Sequence, residues 1–155
     1  MHIELQQAMQ HLVTEKSLNL KEVSRFTPVD FRLGIQWLVA QDQPDLAQAL
    51  AEAGLALYPL SEDILAISGL LAITREDWPL AVEILQDLVA IQDSRVQPMT
   101  YQMLARALAC NLDVAEAHQV LEVALQKWPN DATLLQERNA MAAVQDAMPA
   151  PHLTN

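Results

Sequence analysis

The stretch LALYPLSED, Leu55 to Asp63, halts an apolar run at an aromatic–proline pair and opens another at once. LQKWPND, Leu125 to Asp131, does the same further along. Pro59 follows Ala47 at the same interval at which Pro129 follows Ala117. Midway between those alanines stands Ala81. A unit of roughly 34 residues therefore recurs, with a short insertion near Val96 and Gln97 before the last copy. Self-similarity at a fixed period is the signature of a repeat architecture, and it outranks any reading of single elements.

Composition agrees with helices throughout. Of the 155 residues 52% are hydrophobic, so a substantial core can form. Only 3 are glycine and 5% are aromatic, while Ala, Leu, Gln and Glu abound. No segment alternates β-branched with polar residues as a half-buried strand would. The fold class is all-α. Nine basic residues against 20 acidic ones give a net charge of −11 and no basic stripe, which excludes a general nucleic-acid binder. The acidity keeps an apolar chain soluble or attracts basic partners. The opening MHIELQQAMQ lacks the charged head and apolar core of a signal peptide. The longest apolar run, ILAISGLLAI at 64–73, is too short to span a bilayer, so no membrane insertion and a cytoplasmic location are expected.

With this period the sequence resembles the tetratricopeptide repeat (TPR) family. Units of 28–61, 62–95 and 98–131 place the family's small eighth residue on Ile35, Gly69 and Ala105. Its small residue at position 20 falls on Ala47, Ala81 and Ala117, and that at position 27 on Gly54, Leu88 and Ala124. The large fourth residue is Phe31, Leu65 and Tyr101; the stop at position 32 is Pro59, Asp93 and Pro129. Ile35, Leu88 and Asp93 depart from the pattern. Small residues at these places let two antiparallel helices approach closely, and Leu104, Leu108, Val114, Leu121 and Leu125 fill the contact in the third unit. The resemblance implies a TPR-like α-solenoid of three helix-turn-helix repeats. An N-terminal helical segment over 1–27 precedes it, with an amphipathic helix over 2–16 and a short link over 17–27. A capping helix over 132–148 with a polar back follows, then a loose tail over 149–155. The aromatic of each stop is expected to wedge between units.

The residues that chemistry would need do not converge. His2, His11, His118 and His152 are far apart and show no metal-ligand spacing. Cys110 stands alone, without a partner cysteine or nearby histidine, and reads as a buried or half-buried small apolar residue. Met99, Met103, Met141 and Met148 read as core packing or as a soft binding surface. No glycine-rich phosphate loop exists, and Glu62-Asp63 and Glu76-Asp77 sit where helix starts favour negative charge. Neither an enzyme nor a cofactor or metal is expected.

In the TPR family the first helix of each pair lines the concave face through positions 2, 5, 9, 12 and 13. That register points to Val29, Arg32, Gln36, Val39 and Ala40; to Asp63, Ala66, Leu70, Ile73 and Thr74; and to Met99, Gln102, Arg106, Ala109 and Cys110. Only Arg32 and Arg106 are basic, so the carboxylate clamp with which some relatives hold acidic chaperone tails is not implied. An apolar floor flanked by Arg and Gln suits a protein or peptide partner with apolar anchors, unless the chain's own N-terminal helix covers Leu70 and Ile73. Three repeats with a helix at each end, small size and acidity look like the chaperones of bacterial type III secretion. The resemblance implies a non-catalytic adaptor or secretion-type chaperone holding an apolar segment of its partner. The alternative is a scaffold that self-assembles as a homo-oligomer through its repeats.

Overall fold

The computed structural model describes residues 1–147, which contain nine α-helices and no strand. These are α1 (Ile3–Glu15), α2 (Leu20–Val23), α3 (Pro28–Ala40), α4 (Pro44–Leu57), α5 (Glu62–Thr74), α6 (Trp78–Gln92), α7 (Pro98–Cys110), α8 (Val114–Lys127) and α9 (Ala132–Ala147). Met148, expected to end the last helix, and the tail 149–155 lie outside the described residues. The chain divides into two compact units, Met1–Asp93 and Ser94 onward.

Helix starts follow from short side-chain chemistry. Thr27 accepts the Asp30 N–H at 3.2 Å while Asp30 accepts the Thr27 N–H at 3.0 Å, a reciprocal capping box. Ser61, Asp77, Asp113 and Asp131 each accept an N–H from three residues on. Pro28, Pro44 and Pro98 occupy the first helical position and Pro79 the second, where a missing donor costs nothing.

The turn inside each helix pair is built the same way three times. The N–H groups of Asp42 and Gln43 bond back to Val39 and Leu38; those of Glu76 and Asp77 to Ile73 and Ala72; those of Leu112 and Asp113 to Ala109 and Leu108. This is the Schellman pattern, which needs a left-handed residue just past the helix. Asp42, Glu76 and Leu112 fill that place, with φ of 56°, 58° and 66°, where glycine is the usual choice.

In the first unit α3 packs on α4, α5 on α6, and α5 also on α3 and α4. Ala47 and Ala81 are fully buried at the helix crossings, and Phe31, Ile35, Leu38, Leu50 and Ile64 fill the core. Each such large side chain contributes roughly 1.5–3 kcal/mol on burial. The N-terminal helix α1 joins this core through Leu5, Met9 and Leu12. At Gly34 a Cβ would fall 2.9 Å from Met9 Sδ and 3.0 Å from Leu50 Cδ2, so a larger residue there would make those side chains shift. At Gly69 it would fall 2.9 Å from Leu85 Cδ2 across the α5–α6 contact. In the second unit α7 packs on α8 and α9, with Ala105, Ala117 and Ala124 fully buried and Leu104, Leu108, Leu121 and Leu134 around them.

The aromatic stops are geometric equivalents. Tyr58 has φ −132° and ψ 65°, and Trp128 has φ −129° and ψ 70°, the extended-side backbone that a following proline enforces. Both rings turn back onto position 4 of their own helix pair, at 6.1 Å centroid separation from Phe31 and Tyr101 respectively. The ring partner that each aromatic finds belongs to its own helix pair. The Tyr58 hydroxyl also donates to the Phe26 carbonyl at 2.8 Å, tying the 17–27 link to the first helix pair. The middle pair has Gln92-Asp93 instead. There α6 runs to 15 residues, against 14 in α4 and in α8, and ends on Asp93 at φ 50°, ψ −115°. The division between the two units falls on that residue, just before the insertion.

Two stability measurements follow. A left-handed conformation costs an L-residue roughly 1–2 kcal/mol, and glycine's unfolded-state entropy offsets about half of that. Leu112→Gly is therefore expected to stabilise the chain by about 0.5–1 kcal/mol in urea denaturation. The second concerns Asp30. Burial alone would raise its carboxyl, but bonds from Thr27 and His2 outweigh that and hold it below the usual carboxylate range. A depressed folded value means that the contribution is present above about pH 4 and fades as pH falls through the folded value. Asp30→Asn should be less stable than wild type at pH 7, and the gap should close in the acid limb of a pH–stability curve.

Candidate functional site

The inner positions of the first unit come together on α3 and α5. Arg32 Nε lies 3.5 Å from Asp63 Oδ1, joining position 5 of α3 to position 2 of α5. Leu70 and Val39 lie two turns further along α5 and α3. Both are unusually open for their type, Leu70 at 48% and Val39 at 47% exposure; Val29 and Gln36 are also exposed. Ala66 and Ile73 are half-buried between them. The N-terminal helix does not cover this face: α1 lies against α3 with Met9 at Gly34, and Leu70 stays exposed.

In the second unit Met99, Gln102, Arg106 and Ala109 all lie on α7, and Gln102 and Arg106 find their partner on α9. Glu137, only 7% exposed, accepts from Gln102 Nε2 at 2.9 Å, and from Arg106 Nη2 at 2.9 Å and Nε at 3.4 Å. Two polar positions expected to flank a ligand thus hold the capping helix. Beyond this bridge a groove of about 400 Å³ opens between the end of α7 and α9. Ala109, Leu112, Val114, Ala140, Met141 and Val144 give it an apolar lining. Leu112 is 89% exposed at its rim. Cys110 also lines it and is exposed, contrary to the buried place expected; as the last residue of α7 it faces the rim rather than a neighbouring helix. Met99 is likewise exposed rather than core, while Met141 is buried.

Sequence reasoning missed the α9 wall of this groove. Its signal is Ala140 and Val144 one helical turn apart beside Met141, an apolar stripe on a helix read only as a polar-backed cap.

A second hollow, of about 500 Å³, lies between α1, α2 and the start of α3, lined among others by His2, His11, Glu22, Arg25 and Asp30. His2 already has two tasks there: Nδ1 accepts the Leu5 N–H at 3.2 Å, and Nε2 sits 3.1 Å from Asp30 Oδ1. Among the described residues no group of three or more His, Cys, Asp or Glu is placed to hold a metal ion, and no helix is long and apolar enough to cross a membrane. His152 lies outside those residues.

The arrangement of these helices has a solved counterpart. The crystal structure of nearly identical TPR-like repeats from a candidate kinesin light chain of Podosopora anserina matches with a TM-score of 0.67, covering 92% of this chain and 74% of that one. The fold is TPR-like. Sequence identity is 22%, so the likeness is one of fold alone. No family model matches this TPR-like chain, and no curated protein does.

The Glu137 bridge yields an asymmetric prediction. Removing the guanidinium leaves a nearly buried carboxylate short of donors, whereas replacing the carboxylate leaves a half-exposed arginine in water. Arg106→Ala should cost about 1–3 kcal/mol in thermal or urea unfolding. Glu137→Met should stay within about 1 kcal/mol of wild type. Equal losses in the two variants would contradict this account.

Proposed function

We propose that this chain is a non-catalytic protein-binding module, an adaptor or secretion-type chaperone that shields an apolar segment of a partner protein in the cytoplasm. The observation that carries the reading is the apolar groove between α7 and α9, whose lining takes in Arg106 and Ala109 from the expected register. A pocket of this size, lined by apolar side chains with a polar group at one end, is the usual form of a recognition site. The exposed Val39 and Leu70 on the matching helices of the first unit show the same chemistry. Exposed leucine and valine on two helices that pack on each other support such a surface. The solved TPR-like repeats support the fold that presents these faces. The type III secretion chaperones supply the nearest model of use: holding an export-bound subunit soluble.

The test is copurification of the natural partner with tagged chain. Leu112→Gly, Val144→Asp and Leu70→Glu alter exposed side chains, and such changes usually move stability by no more than about 0.5 kcal/mol apart from backbone effects. The expected outcome is loss of the partner with helicity kept, the unfolding midpoint unchanged in Val144→Asp and Leu70→Glu and raised in Leu112→Gly. Light scattering on the pure chain should show a monomer that gains mass only with partner. A stable oligomer without any partner would favour the self-assembling scaffold instead.

A further inference from the structure

We propose that the C-terminal ends of α3 and α5 form a docking surface for a partner segment that carries lysine or arginine beside apolar side chains. The proposal rests on the binding reading above and specifies its partner. Val39 near the end of α3 and Leu70 and Ile73 near the end of α5, two helices that pack on each other, form the apolar part of the surface. Each helix then ends on an acid: the Asp42 N–H bonds to the Val39 carbonyl and the Glu76 N–H to the Ile73 carbonyl, both at 3.0 Å. Asp42 and Glu76 are both exposed in these turns, just past the helix ends that carry the apolar residues.

Charge complementarity selects the occupant. The unit Met1–Asp93 holds fourteen Asp and Glu against five Lys and Arg, and so carries nine of the eleven net negative charges. Arg32 and Arg75, the two arginines near this edge, are taken by Asp63 and Asp45. Neither Asp42 nor Glu76 forms an ion pair among the described residues. The negative ends of two helix dipoles point the same way. An acidic or phosphorylated segment is repelled here; a basic one gains at each carboxylate while its apolar side chains cover Val39 and Leu70.

The probes are three synthetic amphipathic peptides with one leucine pattern and Lys, Gln or Glu at the polar positions, titrated calorimetrically into the full chain. Asp42→Asn with Glu76→Gln removes both charges, and asparagine suits a left-handed site. Glu83→Gln with Asp87→Asn, two exposed positions on α6, removes the same charge elsewhere. The Lys peptide should bind tightest and weaken with salt. The first double variant should weaken it about three- to tenfold, the α6 variant less than twofold, and Leu70→Glu should abolish binding. Equal weakening by the two double variants would mean diffuse attraction and overturn the proposal. A Gln peptide that binds as tightly as the Lys peptide, still sensitive to Leu70→Glu, overturns it while leaving the binding reading intact. If no peptide binds but the natural partner copurifies, the proposal alone falls; if neither binds, both do.

Discussion

The close approach of paired helices at one alanine per repeat constrains the rest of this molecule. Ala47, Ala81 and Ala117 are fully buried where the second helix of each pair crosses the first. Any larger side chain there would force the helices apart and open the contacts around it, because interiors packed to crystal density have no slack. Once that distance is set, the large residues find their places: Phe31 beneath Tyr58, Tyr101 beneath Trp128, Leu85 against Gly69. The Schellman turns follow from the same constraint. Helices held this tightly reverse within a very short turn, which puts one residue of each turn in the left-handed region even though none of the three is glycine.

That dependence explains why the fold could be read from residue spacing. A buried alanine at fixed period and a proline at a constant distance after it record backbone geometry directly, since few other residues satisfy it. The middle stop shows the limit. Without a proline α6 gained a residue, and the chain turned through an unusual conformation at Asp93 that no local residue type announced. The N-terminal helix was legible as amphipathic, but its docking place was not. Met9 is held by Gly34, a glycine one position away from the expected small residue, and a single sequence gives no reason to prefer it over Leu70 as the partner of α1.

Spacing proposes candidate site positions and says nothing of their pairing. Helical period places Gln102 and Arg106 about one turn apart on α7. That both are claimed by Glu137, 35 and 31 residues away from Gln102 and Arg106, is a tertiary fact that no spacing rule contains. A carboxylate buried to 7% exposure is justified only by such a set of donors. Cys110 was misplaced for a related reason. Small or apolar residues near a helix end read as core by composition, whereas exposure there depends on whether a neighbouring element arrives to cover them.

The hydrogen bond from Tyr58 to the Phe26 carbonyl reaches across 32 residues. With Met9 seated at Gly34, it makes the first helix pair structurally incomplete without the segment before it. In a repeat array the units are often treated as interchangeable modules that can be trimmed, shuffled or concatenated. Here the first pair has been made specific to its own leader: its glycine is shaped for one methionine, and the hydroxyl of its stop aromatic is already engaged. Grafting another repeat in front would require replacing both. The array can be extended at that end only by redesign.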